Sequence, residues 1–169
     1  PGRDRFVAKL EKELNKKPAL KVKKRGGDTA FLFMMADWQL GKSDLGVENT
    51  VKRLELALTS GVDRIKALRK SGVKVNKVYL VGMGDLTENC FGFYDSQAFN
   101  IELSLAQQYH LARKLIMRCV DTFLPLVDEI VLAGVPGNHG EMSRSGKGKV
   151  TTDRLDNSDT MHLEICGEI

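Results

Sequence analysis

The sequence predicts an α/β protein built on a parallel sheet. Three short apolar runs, at residues 29–36, 75–81 and 129–133, have the length and composition of buried strands. Two longer stretches between them carry helical periodicity. Strands alternating with helices in this order call for right-handed crossovers, with helices covering the sheet. A chain of 169 residues is long enough for one domain with a real core.

Each element has a local reason. Residues 6–17 place Phe6, Leu10 and Leu14 on one helical stripe, which Pro18 ends. Residues 29–36 are nearly all apolar, and residues 41–46 form a loop. From residue 47 to about 70, Val51, Leu54, Leu58, Val62, Ile65 and Leu68 share one face. Gly61 interrupts that helix and marks a candidate kink, and Ser71-Gly72 ends it. Residues 82–96 form a long glycine-containing loop, a length associated with function. Residues 101–122 read as a second long helix, and residues 134–156 as a second long loop. Residues 160–169 read as the first turns of a helix.

Composition bounds the class. With 42% hydrophobic and 28% charged residues, the chain has the profile of an ordinary globular protein. No apolar run reaches membrane-span length, and residues 1–5 do not open a signal peptide. Three widely spaced cysteines, Cys90, Cys119 and Cys166, argue against a disulfide framework and for the reducing cytoplasm. Residues 1–27 form a basic N-terminal segment, with ten Lys/Arg against three Asp/Glu, whereas residues 28–169 are net acidic. Such a segment suits a phosphate backbone. The plainer alternative is a solvated helix and linker.

The chemistry gathers at strand ends. In open parallel sheets, ligands bind beyond the carboxyl ends of the strands. Asp37, Asp85 and the Gly137-Asn138-His139-Gly140-Glu141 stretch each stand just past a predicted strand. Asn138 and His139 between glycines make a poor core and a good metal site. Asp37 with Gln39, and Asp85 after Gly84, are ordinary turn residues taken singly. Together, three strand ends delivering oxygen or nitrogen donors point to a binuclear metal centre for phosphoester hydrolysis. His139 is either a ligand or a general acid. Glu88 and Asn89 follow Asp85 closely and are candidates for substrate or supporting contacts. Arg144 and Lys147 are candidates for nucleic-acid phosphate, against a solvated loop. Trp38, Phe91, Phe93 and Tyr94 are candidates for base stacking, against core packing. His110 and His162 read as surface or packing residues, since neither has a ligand-like spacing.

The phrases Asp37-Trp38-Gln39-Leu40-Gly41-Lys42, Gly84-Asp85-Leu86-Thr87-Glu88-Asn89 and Gly137-Asn138-His139-Gly140-Glu141 resemble the calcineurin-like metallophosphoesterases. They resemble in particular a bacteriophage and actinobacterial subgroup similar to SbcD-type DNA exonucleases. The resemblance implies a four-layer αββα sandwich, of which residues 28–169 would be the N-terminal part. It implies two divalent ions, Mn2+ first, then Mg2+, with Zn2+ less favoured. Asp85 would bridge both ions, Asp37 and Gln39 would hold the first, and Asn138 the second. His139 would face the scissile phosphate. DNA is the implied substrate, and an ATPase subunit the implied partner. A phosphatase, a small-nucleotide phosphodiesterase and a non-catalytic module are the alternatives. Gln39 stands where the family has histidine, which favours harder ions. No histidine follows His162, so the family's Gly-His-x-His is missing. The expectation is a C-terminally incomplete chain with weak metal binding.

Overall fold

A computed structural model describes residues 26–44, 46–91, 94–141 and 157–168, the backbone of residues 144–145 and 149–150, and helical residues Ala8, Lys9 and Lys12. The predicted helix at 6–17 is thus described at three positions, and the basic Lys21–Arg25 stretch lies outside the described residues.

Strands β1 (Thr29–Met35), β2 (Val75–Gly82) and β3 (Glu129–Gly134) form one parallel sheet in the order β1-β2-β3. Helix α1 (Val47–Lys70) links β1 to β2, and α2 (Leu105–Phe123) links β2 to β3. Helix α3 (Ser158–Gly167) follows β3. A small antiparallel pair, β4 (Arg144–Ser145) with β5 (Lys149–Val150), lies in the connection between β3 and α3.

The register sets the site. Met35 pairs with Gly82, and Gly82 with Gly134, so all three strands end level. Their following loops therefore leave one edge of the sheet together.

All three helices pack on one sheet face. Phe33 and Phe123 pack at a tilt of 54° with 5.1 Å between ring centroids, and a side chain at Gly61 would meet both rings. Leu163 of α3 covers Gly82 and Gly134 at the strand ends. Phe33, Met35, Val78 and Leu80 are buried beneath these helices. The sequence reading of β1 as buried on both sides needs correction. Leu32 and Met34, on the opposite face, are 57% and 62% exposed. Among the described residues, no helix packs on that face.

Two further corrections concern α1 and α2. Gly61 does not break α1, which runs unbroken through it. A Cβ there would lie 2.9 Å from Phe123 Cζ, so glycine permits close helix packing. Helix α2 starts at Leu105 rather than residue 101. Ser104 and Gln107 form a capping box that fixes the start, leaving Leu103 buried in the preceding loop. Helix α3 likewise starts two residues earlier than expected, because Asn157 caps it by accepting the Asp159 N–H.

Candidate active site

The first two loops continue as a bonded pair beyond the sheet. Met83 N–H donates to Met35 O at 2.8 Å, Asp37 N–H to Gly84 O at 3.2 Å, and Gln39 N–H to Asp85 O at 2.9 Å. Leu40 N–H then donates to Leu86 O at 3.1 Å, and Glu88 N–H to Leu40 O at 3.0 Å. This ladder brings Asp37 and Gln39 alongside Asp85, more than forty residues downstream.

The path is strained at the residues singled out by sequence. Asp37, Gln39 and Asp85 have φ of 58°, 41° and 55°. That left-handed region costs a non-glycine residue about 1–2 kcal/mol, and such strain clusters at functional sites. Asn89 joins them at φ 67°.

The third loop lies directly on the second. A Cβ at Gly84 would sit 2.7 Å from Gly137 Cα, and one at Gly137 would sit 2.3 Å from Asp85 Oδ1. Only paired glycines allow that approach. His139 N–H then donates to Asp85 Oδ1 at 2.8 Å. Asn138, just before it, is exposed, as is Asp37, while Asp85 and Gln39 are half-buried.

His139 itself is 5% exposed. Its Nδ1 lies 3.0 Å from Glu88 Oε2 and 3.3 Å from the Glu88 carbonyl oxygen. Burial pulls its pKa down, but the hydrogen bond and charge of Glu88 outweigh burial, so the net shift is upward. Glu88 in turn accepts the Tyr94 hydroxyl at 2.8 Å, and its carbonyl accepts Gln97 Nε2 at 2.6 Å.

Glu88 and Asn89, candidates for substrate or supporting contacts, are fully buried. Asn89 Nδ2 donates to the carbonyls of His139 and Glu141, tying the second loop to the third. Gln108 of α2 holds Asn89 by both amide ends, accepting from its N–H at 2.7 Å and donating to its carbonyl at 3.1 Å. Both residues therefore support the loops of the site from beneath. Arg144 falls in β4, where only the backbone is described, and Lys147 and Phe93 lie outside the described residues. Trp38 is buried core, whereas Phe91 is exposed. His162 is fully buried and packs edge-on against Tyr109, while His110 is exposed on α2.

No protein-family model matches the chain, and no curated protein matches it.

Three site residues escaped the sequence reading. Asp159, fully buried, accepts Asp85 N–H at 2.8 Å and Gly137 N–H at 3.1 Å on Oδ2, and Leu86 N–H at 2.9 Å on Oδ1. Burial holds its pKa above the ordinary aspartate value, against the lowering effect of those amides. Asn157 Nδ2 donates to Gly137 O at 2.7 Å. Lys42 Nζ donates to Gln39 Oε1 at 2.9 Å. Asn157-Ser158-Asp159 ahead of an apolar stretch is a helix-start signature, which reveals α3 but not its grip on the loops.

The donor chemistry fits a hard divalent cation: two carboxylates, Asp37 and Asp85, and two carboxamide oxygens, Gln39 and Asn138. Among the described residues, no group of three or more His, Cys, Asp or Glu is gathered for a metal, so a site built from them draws on carboxamides. Lys42 occupies the Gln39 oxygen, and a cation there would have to displace its ammonium.

Proposed function

We propose that this chain is a metal-dependent phosphoester hydrolase, a phosphodiesterase or nuclease acting on DNA. The observation that carries the reading is Asp85 bonded through Oδ1 to the His139 N–H, with the His139 ring held by buried Glu88. That pairing would set a cation-binding carboxylate beside a proton donor at the strand-end edge. The resemblance of the three loop phrases to calcineurin-like metallophosphoesterases supports the same assignment.

Asp37, Gln39, Asp85 and Asn138 would hold two divalent ions, Mn2+ first among them. Such ions polarise a phosphoryl oxygen and make hydroxide available near neutral pH. The chain's own residues do the rest. Asp85 fixes the third loop by accepting the His139 N–H. With Nδ1 turned to Glu88, proton exchange with a leaving oxygen falls to His139 Nε2. An upward-shifted His139 keeps its proton nearer neutral pH, as an acid must.

The proposed architecture is the four-layer sandwich. The open sheet face at Leu32 and Met34 supports it, because parallel sheets are ordinarily covered on both faces. The basic N-terminal segment favours DNA over a small substrate, and the resemblance adds an ATPase subunit as proposed partner.

The test is hydrolysis of bis-p-nitrophenyl phosphate and of single- and double-stranded DNA with Mn2+, with p-nitrophenyl phosphate as the monoester control. Diester and DNA cleavage abolished by EDTA is expected. Turnover that survives excess EDTA would sink the two-metal reading, and cleavage of the monoester alone would make the protein a phosphatase.

A further inference from the structure

We infer that Asp159 is a positioning residue that sets the spacing between Asp85 and the Asn138-His139 pair. The inference rests on reading this edge as a phosphoesterase centre. It begins from a carboxylate with no solvent exposure that takes three main-chain N–H groups, two from the second loop and one from the third. Asp85 and Gly137 share a single oxygen, Oδ2, at 2.8 and 3.1 Å. One atom thus locks the backbone of the bridging-carboxylate candidate to the backbone that precedes Asn138.

The neighbourhood is built around that carboxylate. A Cβ at Gly137 would lie 2.7 Å from Asp159 Oδ2, and a Cβ at Gly140 would lie 2.4 Å from it. Both glycines stand where any side chain would push the carboxylate away. Ser158 N–H donates to Gly140 O, and Ser158 Oγ lies 3.2 Å from Thr87 Oγ1, so the start of α3 clasps both loops. A buried carboxylate gains favourable hydrogen bonds from amides, and three of them fix its position. The two loops thus meet at the start of one helix. Asp159 touches no ligand; it acts through Asp85 and through the Gly137 amide.

Two variants probe this differently. Asp159→Asn keeps the shape but turns one acceptor into a donor facing an N–H. Gly140→Ala keeps the carboxylate and its charge but crowds it together with the Asn157 cap, whose Oδ1 the new Cβ would approach to 2.6 Å; Gly140 is not among the residues with positive φ, so alanine is tolerated by the backbone. In folded variants, verified by circular dichroism, calorimetric Mn2+ affinity should fall by about 10- to 100-fold in both, the range for lost support of a metal ligand. Amide hydrogen exchange at Asp85, Leu86 and Gly137, slow in the unaltered protein, should accelerate. A residue with a merely structural role would lower Tm and leave the Mn2+ affinity of the folded molecules unchanged, and that outcome overturns the inference. If the unaltered protein binds no Mn2+, the phosphoesterase reading fails. The positioning role is then judged by exchange alone, and unchanged exchange at Gly137 in folded Gly140→Ala overturns it. Should Asp159→Asn fail to fold, Gly140→Ala decides by the same two measurements.

Discussion

His139 Nδ1 and Glu88 Oε2 lie 3.0 Å apart, and both side chains are buried. The carboxylate faces the imidazole away from solvent and shifts the His139 pKa upward against the lowering effect of burial. It orients the imidazole and supports its charge from below, where water does not compete.

His139→Ala is expected to lower diester turnover by about two to four orders of magnitude while leaving Mn2+ binding largely intact. Loss of metal on calorimetric titration would make His139 a ligand instead. Glu88→Gln should lower turnover less. Because Glu88 raises the pKa of His139, its removal should move the alkaline limb of the pH–rate profile to lower pH. An unmoved limb would detach Glu88 from the chemistry.

Asp85→Asn should weaken Mn2+ binding more than Gln39→Ala, since under the proposed assignment Asp85 would support two ions and Gln39 one. Lys42→Met should strengthen Mn2+ binding, because the ammonium on Gln39 Oε1 competes with the cation. Titration showing the reverse order for Asp85 and Gln39, or weaker binding in Lys42→Met, would refute this ligand assignment. Gln39→His should shift preference towards softer ions.

His162 gives a stability prediction independent of metal. Burial, reinforced by Arg113, lowers its pKa from 6.5 to about 4. The folded state therefore holds it neutral while the unfolded state takes up a proton. Its full stability is present above pH about 6.5 and is lost progressively as pH falls towards about 4. Urea unfolding at pH 7 and pH 4.5 should show wild type losing about 2–3 kcal/mol more than His162→Phe between the two. Equal losses would mean that His162 is solvated in the folded protein.

Gly61→Ala tests the helix–sheet contact. Alanine gains about 1 kcal/mol of helix propensity over glycine. The new Cβ meets the buried Phe123 ring, and overpacking costs about 1–3 kcal/mol. Net destabilisation is expected, with Gly61→Val worse. In a Phe123→Leu background, Gly61→Ala should become neutral or stabilising. If denaturant midpoints show the alanine variant more stable in both backgrounds, the contact is not tight.

The alternation of strands and helices was legible because it is local. Apolar runs of strand length and a stripe through Val51, Leu54, Leu58 and Ile65 are visible within any short window, and the observed elements follow them. The strand-end position of Asp37, Asp85, Asn138 and His139 followed from the same windows. Caps were legible in principle: Ser104-x-x-Gln107 and Asn157-Ser158-Asp159 mark helix starts that propensity alone placed a few residues away.

What only the tertiary structure decided are the contacts that turn those loops into one edge. Asp159 reaches Asp85 across 74 positions, and His139 meets Glu88 across 51. No periodicity links such residues, so nothing in a local window distinguishes Asp159 from an ordinary helix-capping acid, or Glu88 from a surface carboxylate. The same holds for Gly61, a candidate kink by composition and a contact point by packing, and for Leu32 and Met34, apolar by sequence yet on a face that no helix covers among the described residues. Which side of a strand is buried, and which carboxylate faces inward, is set by what packs against it, and that information resides in the register of the sheet and the landing of the helices.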